Sequence, residues 1–593
     1  MNPVLSRPVE RLGEQFDVAV VGGGITGVSV AREAALRGLR TVLIERNDFG
    51  SGTSSATTKY IHGGIRYLEQ YDVGVVRESL RERRILALGA PHLVEQTRFI
   101  MPGWRWSKPR TPLLGAGVLL YDLLAFDRNR DAPEGLRIPH PRWLSKSELL
   151  AAVPWLDATD LQGGFAYHDT LNLHPERLLL AYAQSAAVAG AVLVNHVGAD
   201  GFVSEVRGDD LVVSGLRAVD LLDGTRHEIR ADVVVNAAGP WIDKMLEPLG
   251  RATGVAVARS KGVHVLTRAL GGGRVTDAVF ARAKSGRHVI VSPWMGKSFI
   301  GPTDTPIEGD EATVVADRDD VRSILETVNS TMSDVERPLT PGDVELTTVG
   351  VRPLIRLDES ADDDSTSDDS KGDDSTVDGD DPVSESTYTA SRRHELYHHV
   401  DRGIRNLWSI GGGKWTTARA TAEEMVDALF ENELSDRPRR DHDSRQLPAW
   451  GAFAWAEDAE PFLVDSGARL VAAGLDPRSA ELVARLHGTG AERIAELVEA
   501  DSTLALPIVE GGDVAAQVVV AVVDEAARTL SDIVDRRLVV GTLRPLDDTI
   551  LRSVAEIAAP LLGWDGDRVE REVAAESARR AALESHWRDV PVR

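Results

Sequence analysis

The sequence predicts an α/β fold that combines a β–α–β unit, an inserted mixed β-sheet and an all-helical C-terminal part. Three observations support this prediction. Residues 16–45 alternate an apolar strand, a glycine-rich turn, a helix and a second strand. Short apolar runs of strand character recur over 191–235 and 254–305, and Ala, Val and Leu recur at helical spacing from about 450 to 588. At 593 residues the chain is too long for one core, so it contains two or three domains.

The first β–α–β unit begins with the apolar, β-branched run Phe16–Val21, which is typical of a strand. A helix is predicted over 25–37 and a second strand over 40–44. Glu45 ends that strand, 21 residues after Gly24, where a carboxylate can hydrogen-bond ribose hydroxyls.

The turn of this unit carries Gly22, Gly24 and Gly27 in the spacing G-x-G-x-x-G. The first glycine allows a tight turn, the second lets the backbone approach a pyrophosphate, and the third lets the helix pack closely on the sheet. In this strand–turn–helix context the pattern predicts dinucleotide binding, although it does not separate FAD from NAD. The alternative is a glycine-rich turn that binds no ligand.

Composition excludes several classes of function. The chain contains no cysteine, so it holds no disulfide, thiol nucleophile or cysteine-ligated iron–sulfur cluster of its own. Its net charge of −25 argues against nucleic acid as a partner. The acidity, together with only nine lysines against 58 arginines, suggests a salt-rich cytoplasm; a GC-rich genome would explain the few lysines but not the acidity.

Hydropathy bears on the expected location of the protein. No run of eighteen apolar residues occurs, and the N-terminus lacks the apolar run of a signal peptide. We therefore expect a cytoplasmic protein, either free or bound peripherally to the inner face of the membrane.

A hydroxyl-rich segment follows the second strand and reads TSSATTKYIHGGIRYLE over residues 53–69. Its serines and threonines can donate hydrogen bonds to phosphate and ribitol oxygens, and Gly63-Gly64 lets backbone lie close to a flat ring. This segment resembles the signature of the flavin-dependent glycerol-3-phosphate dehydrogenases, which belong to the D-amino-acid-oxidase-like FAD enzymes. The resemblance continues over most of residues 16–430.

The resemblance implies FAD as the cofactor. It also implies a Rossmann-like FAD-binding domain, an inserted mixed β-sheet substrate domain and a C-terminal all-helical domain. We expect an oxidoreductase region over 1–445 and a helical domain over 446–593. The predicted FAD-binding segments are about 16–75, 165–250 and 400–430.

An acidic insertion, residues 358–381, interrupts the oxidoreductase region. It contains twelve acidic residues and one lysine, so it cannot form a buried core and is expected to be disordered. It lacks the ligand spacing and closing glutamate of a calcium loop, and no metal site is predicted in the chain.

The resemblance, with the residue types present, also gives a candidate site. The expected cofactor-binding residues are Gly22, Gly24, Gly27, Glu45, Ser54, Ser55, Lys59, His62, Gly63, Gly239, Gly413 and Thr416. The expected catalytic residues are His264, Arg352, Lys414 and Arg66, and the expected substrate-binding residues are Tyr67 and Thr303.

These residue types suit the oxidation of a phosphorylated alcohol. Arginine and lysine can hold a phosphate, and a histidine can take the hydroxyl proton. His264 is the predicted base, and His62 is expected to position backbone beside the flavin.

The leading hypothesis is oxidation of glycerol 3-phosphate to dihydroxyacetone phosphate. Two alternatives remain: an oxidase of the same fold that acts on an amine or reduces oxygen, and a redox-inactive flavin-binding scaffold. The electron acceptor is left open between a quinone and an iron–sulfur or membrane-anchor partner subunit. Homo-oligomerisation is also left open.

Overall fold

The structure is a computed structural model that describes residues 5–588 except 108–109, 274, 308–313, 334–335, 356–392 and 453. The acidic insertion predicted over 358–381 lies outside the described residues. Two large sheets with their helices form the oxidoreductase region, and helices form the C-terminal part. The predicted fold class is therefore confirmed.

The strands follow one another along the chain as β1 Gln15–Val21, β2 Thr41–Ile44, β3 Tyr60–Ile61, β4 Val94–Trp104, β5 Arg142–Ser145, β6 Leu161–Asn172, β7 Val192–Val194, β8 Val197–Arg207, β9 Asp210–Asp220, β10 Arg226–Asn236, β11 Val257–Arg268, β12 Ala278–Arg282, β13 His288–Trp294, β14 Lys297–Gly301, β15 Thr305–Pro306, β16 Val344–Ile355, β17 His394–His398, β18 Ile404–Arg405 and β19 Leu407–Gly412.

The principal helices are α1 Ile25–Leu36, α2 Val73–Gly89, α3 Thr111–Leu124, α4 Lys146–Ala152, α5 Pro175–Val188, α6 Ile242–Leu246, α7 Arg318–Asn329, α8 Ala418–Glu431, α9 Ala459–Ala473, α10 Pro477–His487, α11 Ala491–Ala500, α12 Ala515–Val523, α13 Asp548–Leu562 and α14 Gly566–Ser585. Short helical turns lie at Leu530–Asp532, Ile533–Arg537 and Val540–Leu543, and the middle one is π-helical.

The first sheet has a central parallel part in the order β19-β10-β1-β2-β7, with β17 antiparallel at one edge. β1 pairs with β10 on one side and β2 on the other, so the glycine-rich turn leaves the middle of the sheet. The residues of β1 after Gln15 are all buried, as expected for a parallel strand covered on both faces. Helices α1, α5 and α8 pack together on this sheet in one hydrophobic core.

The second sheet has the order β15-β11-β14-β13-β12-β4-β6-β3, with β16 paired to β11 and β5 paired to β6. The antiparallel region expected over 254–305 supplies only half of these strands. β6 belongs to this sheet although the sequence assigned residues from about 165 onward to the FAD-binding segments. Long-range pairing between β4 and β6 brings the earlier strands into this sheet, and the local pattern does not encode that pairing.

The C-terminal part forms two further hydrophobic clusters, one around α10–α12 and the other around α12–α14. Helical spacing of Ala, Val and Leu therefore predicted the secondary structure of this part correctly. No helix among the described residues has the length and apolarity needed to cross a membrane.

Candidate functional site

A cavity of about 1950 Å³ extends from the glycine-rich turn to the strands β11, β13 and β16 of the second sheet. Typical small-molecule pockets measure roughly 300–1,000 Å³, so this cavity has room for an extended dinucleotide and a second small molecule. Polar and apolar groups from both sheets line it. It is therefore the candidate site for cofactor and substrate together.

The glycine-rich turn requires the absence of side chains at two positions. A Cβ atom on Gly22 would lie 2.6 Å from the carbonyl oxygen of Ala237, and the φ of Gly22 is +106°. A Cβ atom on Gly27 would lie 1.9 Å from the carbonyl oxygen of Gly22. Gly27 thus lets α1 pack on the turn, whereas Gly24 lines the cavity at the N-terminal end of α1. A helix N-terminus in this position favours a phosphate group.

Glu45 lines the cavity and holds the turn from the opposite strand. Its carboxylate accepts hydrogen bonds from the backbone N–H of Gly23 at 2.6 Å and of Asn47 at 2.8 Å. Burial raises the pKa of Glu45, although these two hydrogen bonds oppose the rise. The carboxylate lies at the end of β2, where contact with a ribose remains a prediction.

The hydroxyl-rich segment divides between the cavity and the protein interior. Ser54 lines the cavity and its hydroxyl accepts a hydrogen bond from the backbone N–H of Ile25 at 2.9 Å. Ser55 does not line the cavity, because its hydroxyl bonds the carbonyl of Gly52 at 3.0 Å. Its predicted contact with the cofactor therefore has no support from its position.

Lys59 is also turned away from the cavity. Its ammonium lies 4.2 Å from the centre of the Trp294 ring and 5.5 Å from that of Phe299. Burial lowers the pKa of Lys59, and the nearby carboxylate of Glu176 opposes this shift. Lys59 is buried against these rings and does not line the cavity, so its predicted contact with the cofactor stays a prediction without support from its position.

Gly63 and Gly64 differ in their surroundings, because only Gly64 lines the cavity. The backbone N–H of Gly63 donates to the hydroxyl of Tyr121 at 2.8 Å, and Gly63 does not line the cavity. His62 and Gly64 on either side do line it. Burial, followed by the charges of Lys414 and Arg66, lowers the pKa of His62 to about 3, so its imidazole is neutral near pH 7.

The remaining predicted cofactor positions return to the same cavity. Gly239 follows β10, and Gly413 and Thr416 follow β19. β10 and β19 are adjacent parallel strands, so their carboxyl ends meet at one edge of the sheet. This edge also carries the glycine-rich turn.

We call the part of the cavity lined by β11, β13 and β16 the substrate half. His264 is a buried imidazole in this part. It is 4% exposed, lines the cavity, and stacks on Phe299 with ring centres 4.7 Å apart. Neither ring nitrogen has a hydrogen-bond partner among the residues that the structure describes. Burial, with a smaller effect of the Arg352 charge, lowers the pKa of His264 to about 3. A neutral imidazole with unpartnered nitrogens can accept a proton from a bound alcohol.

Arg352 lies on β16 and lines the same cavity. Its guanidinium donates to the hydroxyl of Ser260 at 3.0 Å, to the carboxylate of Asp304 at 3.1 Å and to the carbonyl of Thr303 at 2.9 Å. These three contacts fix the plane of the guanidinium. The hydroxyl of Thr303 accepts a hydrogen bond from the backbone N–H of Val263 at 3.0 Å, so Thr303 links Arg352 to β11.

Arg66, Tyr67 and Lys414 form the other polar wall of the substrate half, and all three line the cavity. The Lys414 ammonium donates to the hydroxyl of Ser79 at 2.9 Å and lies 3.9 Å from the centre of the Tyr67 ring. A Cβ atom on Gly64 would lie 2.2 Å from that ring. The structure therefore brings all six predicted catalytic and substrate-binding residues to one cavity.

Sequence reasoning missed the residues that hold this set in place. Asp304 and Ser260 contact Arg352, while two glycines make room for the reactive side chains. A Cβ atom on Gly262 would lie 2.3 Å from the Arg352 guanidinium, and one on Gly301 would lie 2.7 Å from the His264 ring. No local pattern marks these glycines, because their neighbours come from other strands.

Comparison with known proteins agrees with this geometry. A family model described as FAD dependent oxidoreductase matches residues 17–428, and one described as the C-terminal domain of alpha-glycerophosphate oxidase matches residues 410–569. A Mycobacterium leprae protein named glycerol-3-phosphate dehydrogenase is 34% identical over 580 residues, covering 96% of this chain and 89% of that protein. The chain belongs to the FAD-dependent glycerol-3-phosphate dehydrogenase family.

Other relatives of this family support the assignment. A Synechocystis glycerol-3-phosphate dehydrogenase is 32% identical, covering 80% of this chain and 81% of that protein. A Streptococcus pneumoniae alpha-glycerophosphate oxidase is also 32% identical, with 82% of each chain covered. The solved structure of the Bacillus halodurans glycerol-3-phosphate dehydrogenase complexed with FAD superposes with a TM-score of 0.74 at 25% identity and covers 100% of both chains.

The cofactor of the protein is FAD, as the family model indicates, and the cavity fits it. Gly22 and Gly27 allow the tight turn and the close packing of α1, and Gly24, which has no side chain, lines the cavity at the N-terminal end of α1, where a pyrophosphate can approach the backbone. The adenosine and pyrophosphate half of FAD would be held by Gly22, Gly24, Glu45 and Ser54. Segments around Gly239 and Gly413 would face the flavin half.

Proposed function

We propose that the protein oxidises sn-glycerol 3-phosphate to dihydroxyacetone phosphate. The observation that carries this proposal is a neutral, unpartnered His264 beside Arg352 in the cavity that contains the glycine-rich turn. A base and a fixed cation next to a flavin site meet the needs of a phosphorylated alcohol. The names of the Mycobacterium and Synechocystis relatives support the same substrate.

The cations would determine how the substrate is oriented. Arg352, Arg66 and Lys414 reach the cavity from β16, from the segment after β3 and from the turn after β19. In this proposal the three cations together hold the phosphate dianion, and the hydroxyl-bearing carbon then faces the flavin. The planar fork of an arginine suits two phosphate oxygens, whereas lysine contributes a single point charge.

His264 would take the proton of the C2 hydroxyl on one of its two ring nitrogens. Burial keeps this imidazole neutral in the absence of substrate. A bound phosphate dianion would favour the imidazolium and raise the pKa of His264, so protonation becomes easier when substrate is present. Bound FAD supplies the acceptor for the hydride that leaves the same carbon.

The same cations argue against an amine oxidase of this fold. An ammonium group entering the cavity would meet Arg352 and Lys414, and like charges repel strongly where water is excluded. The second candidate is therefore an oxidase acting on the same substrate, as the name of the Streptococcus relative suggests. It differs in electron acceptor and not in the substrate half of the cavity.

For the acceptor we propose a membrane quinone, with a partner subunit as the alternative, and a protein bound peripherally to the inner membrane face. Helix α3 supports this location. Leu113, Leu119, Leu123 and Phe126 on or beside it are 64%, 62%, 69% and 69% exposed. The exposed Arg110 begins the helix, where it can pair with anionic lipid headgroups.

Rapid mixing without oxygen tests the substrate. Glycerol 3-phosphate should bleach the flavin absorbance, whereas glycerol and glycine should not. Arg352→Gln should slow the bleaching at least a hundredfold, on the order expected when a charged contact in a dry site is lost, and Arg207→Gln, a 69% exposed surface position, should not change it. No bleaching by glycerol 3-phosphate in fully flavinated protein would contradict the proposal.

Two further measurements test the acceptor and the location. The reduced protein should be reoxidised faster by a soluble quinone analogue than by dissolved oxygen, and the reverse order would favour the oxidase. Vesicles containing anionic lipid should carry the protein upward in a density gradient. Leu119→Ser with Leu123→Ser should abolish this flotation, whereas Val464→Ser on the C-terminal part should leave it unchanged.

A further inference from the structure

The loop over residues 45–54 forms the wall of the cavity next to the glycine-rich turn. Three hydrogen bonds join loop and turn. The Gly23 N–H donates to Glu45 at 2.6 Å, the Gly50 N–H donates to the Gly23 carbonyl at 3.0 Å, and the Ile25 N–H donates to Ser54 at 2.9 Å. A displacement of this loop would therefore displace the backbone that meets the dinucleotide.

The outer side of the same loop is held by the C-terminal part through Asp48. One carboxylate oxygen accepts Arg536 Nε at 2.5 Å and Arg537 Nη1 at 2.6 Å. The other accepts Arg537 Nη2 at 2.9 Å and the side-chain amide of Asn195 at 2.9 Å. The side chains of Asp48 and Arg537 are both 0% exposed. We refer to Asp48, Arg536 and Arg537 as the Asp48 anchor.

Arg536 and Arg537 are consecutive residues at the end of the π-helical turn Ile533–Arg537, and both reach the carboxylate of Asp48. Single π-helical turns are rare and recur at functional sites. Arg536 also donates to Asp532 at 2.8 Å, and Arg537 donates to the carbonyl of Glu525 at 2.8 Å, so further contacts fix both guanidinium groups.

A metal site at this position is disfavoured. Asp48, His196 and Asp532 offer ligand atoms within 4.8 Å of one another. Both carboxylates, however, already accept hydrogen bonds from Arg536. A divalent cation would have to displace a guanidinium that is buried with them, and the arginines already supply the positive charge that such a site requires.

We propose that the Asp48 anchor is the means by which the C-terminal helical domain holds the FAD site in its binding conformation. Asp48 is a positioning residue that acts on the cofactor through the loop over 45–54. The role is independent of which substrate is oxidised. It assigns a function to the C-terminal part, whose described residues supply no side chain to the cavity lining.

The charge balance shows why the anchor would be sensitive to substitution. Asp48 is the shared partner of two buried guanidinium groups. Without its charge Arg536 keeps the carboxylate of Asp532 at 2.8 Å, whereas Arg537 is left with that of Glu525 at 3.9 Å, and a buried charge that loses its partner is strongly destabilising. The nearest way to relieve this in Asp48→Asn is for the loop and the π-helical turn to separate and admit water. That movement opens the wall of the dinucleotide pocket while both hydrophobic clusters of the C-terminal part stay intact.

Asp48→Asn in the full-length protein tests the proposal. The protein is stripped of FAD, and the FAD dissociation constant is measured by reconstitution and flavin fluorescence. We expect binding to weaken on the order of tenfold, a size typical of coupling between sites. Thermal and urea unfolding of apo- and holoprotein are compared at one FAD concentration. Their difference in unfolding free energy should shrink by about 1.4 kcal/mol, the equivalent of a tenfold change.

Arg469→Gln is the matched control, because Arg469 pairs with Glu492 and Glu499 on the surface of the same domain. It should leave the FAD dissociation constant unchanged. If Asp48→Asn does not fold, Arg536→Gln decides, since it keeps the Arg537 contacts, and Arg536→Lys should restore part of the affinity. Equal destabilisation of apo- and holoprotein, with FAD affinity within twofold of wild type, would overturn the proposal. Failure of every anchor variant to fold even with excess FAD would also overturn it, by showing a purely structural role.

Discussion

Gly262→Ala tests the geometry of the site at its most crowded point. Gly262 lies on β11 opposite Gly350 of β16, two residues before Arg352. Its φ lies outside the left-handed region, so alanine can adopt the backbone conformation. The added Cβ would nevertheless lie 2.3 Å from Nη2 of Arg352 and 2.6 Å from its Cζ. Ordinary contacts begin at 3.4 Å, so the guanidinium must retreat by about 1 Å.

That retreat would disturb the contacts of Arg352 with Ser260, Asp304 and Thr303, which now measure 2.9 to 3.1 Å. A misplacement of about 1 Å in a reacting constellation costs roughly a hundredfold in rate, equivalent to about 2.7 kcal/mol. We therefore expect kcat/KM for glycerol 3-phosphate to fall about a hundredfold. The stability cost of the extra methyl group should be about 1–3 kcal/mol, typical of overpacking.

The assay is steady-state turnover with glycerol 3-phosphate at matched flavin content. Gly342→Ala serves as a control, because among the described residues a Cβ there would meet only the Thr340 hydroxyl, at 3.6 Å. Adding Gly262→Ala to Arg352→Lys should cost much less than adding it to the wild type, because lysine lacks the fork that the methyl group strikes. Wild-type kcat/KM in Gly262→Ala, or strictly additive losses in the double variant, would refute the reasoning.

Three other predictions concern cofactor binding and stability. Gly24→Val should crowd the dinucleotide end of the cavity and give protein with little flavin absorbance per chain. Tyr121→Phe removes the hydroxyl that joins the Gly63 N–H to Asp169, so urea unfolding should show a loss of about 1–3 kcal/mol. Burial lowers the pKa of His92 to about 3, so unfolding binds a proton below pH 6.5. This one group should lower the stability by up to about 1.4 kcal/mol per pH unit as the pH drops from 6.5 toward 3. His92→Gln should remove that share of the slope and leave the shares of the other buried histidines, such as His62 and His264.

The elements that were predicted correctly from the sequence are those that depend on local patterns. Residues 15–44 form the β–α–β unit around Gly22, Gly24 and Gly27, and the apolar spacing after residue 450 became helices. These elements depend on neighbours within a few tens of residues. The segment around His62 and Arg66 was also predicted correctly to line the cavity. Its sequence resembles a family signature, and that resemblance placed it beside the flavin.

The parts that sequence reasoning missed depend on distant partners. Gly262 and Gly301 look like ordinary strand glycines until Arg352 and His264 are seen to occupy the space beside them. Lys59 lies within the hydroxyl-rich segment, yet its positive φ of 61° and the rings of Trp294 and Phe299 direct it into the interior. No local sequence pattern reveals the role of Asp48, because the two arginines that it contacts follow almost five hundred residues later.

The net charge of the chain indicates that its surface is acidic, but it does not predict the charge of the substrate that the cavity binds. A net charge of −25 would repel a phosphate dianion if charges acted over the whole molecule. Salt screens exposed charges beyond about 8–10 Å, whereas Arg352 and Lys414 act at contact distance inside the cavity. The low dielectric there strengthens attraction to these few cations. A strongly acidic protein can therefore bind an anionic substrate, provided that its few cavity cations are held in place by contacts such as that of Arg352 with Asp304.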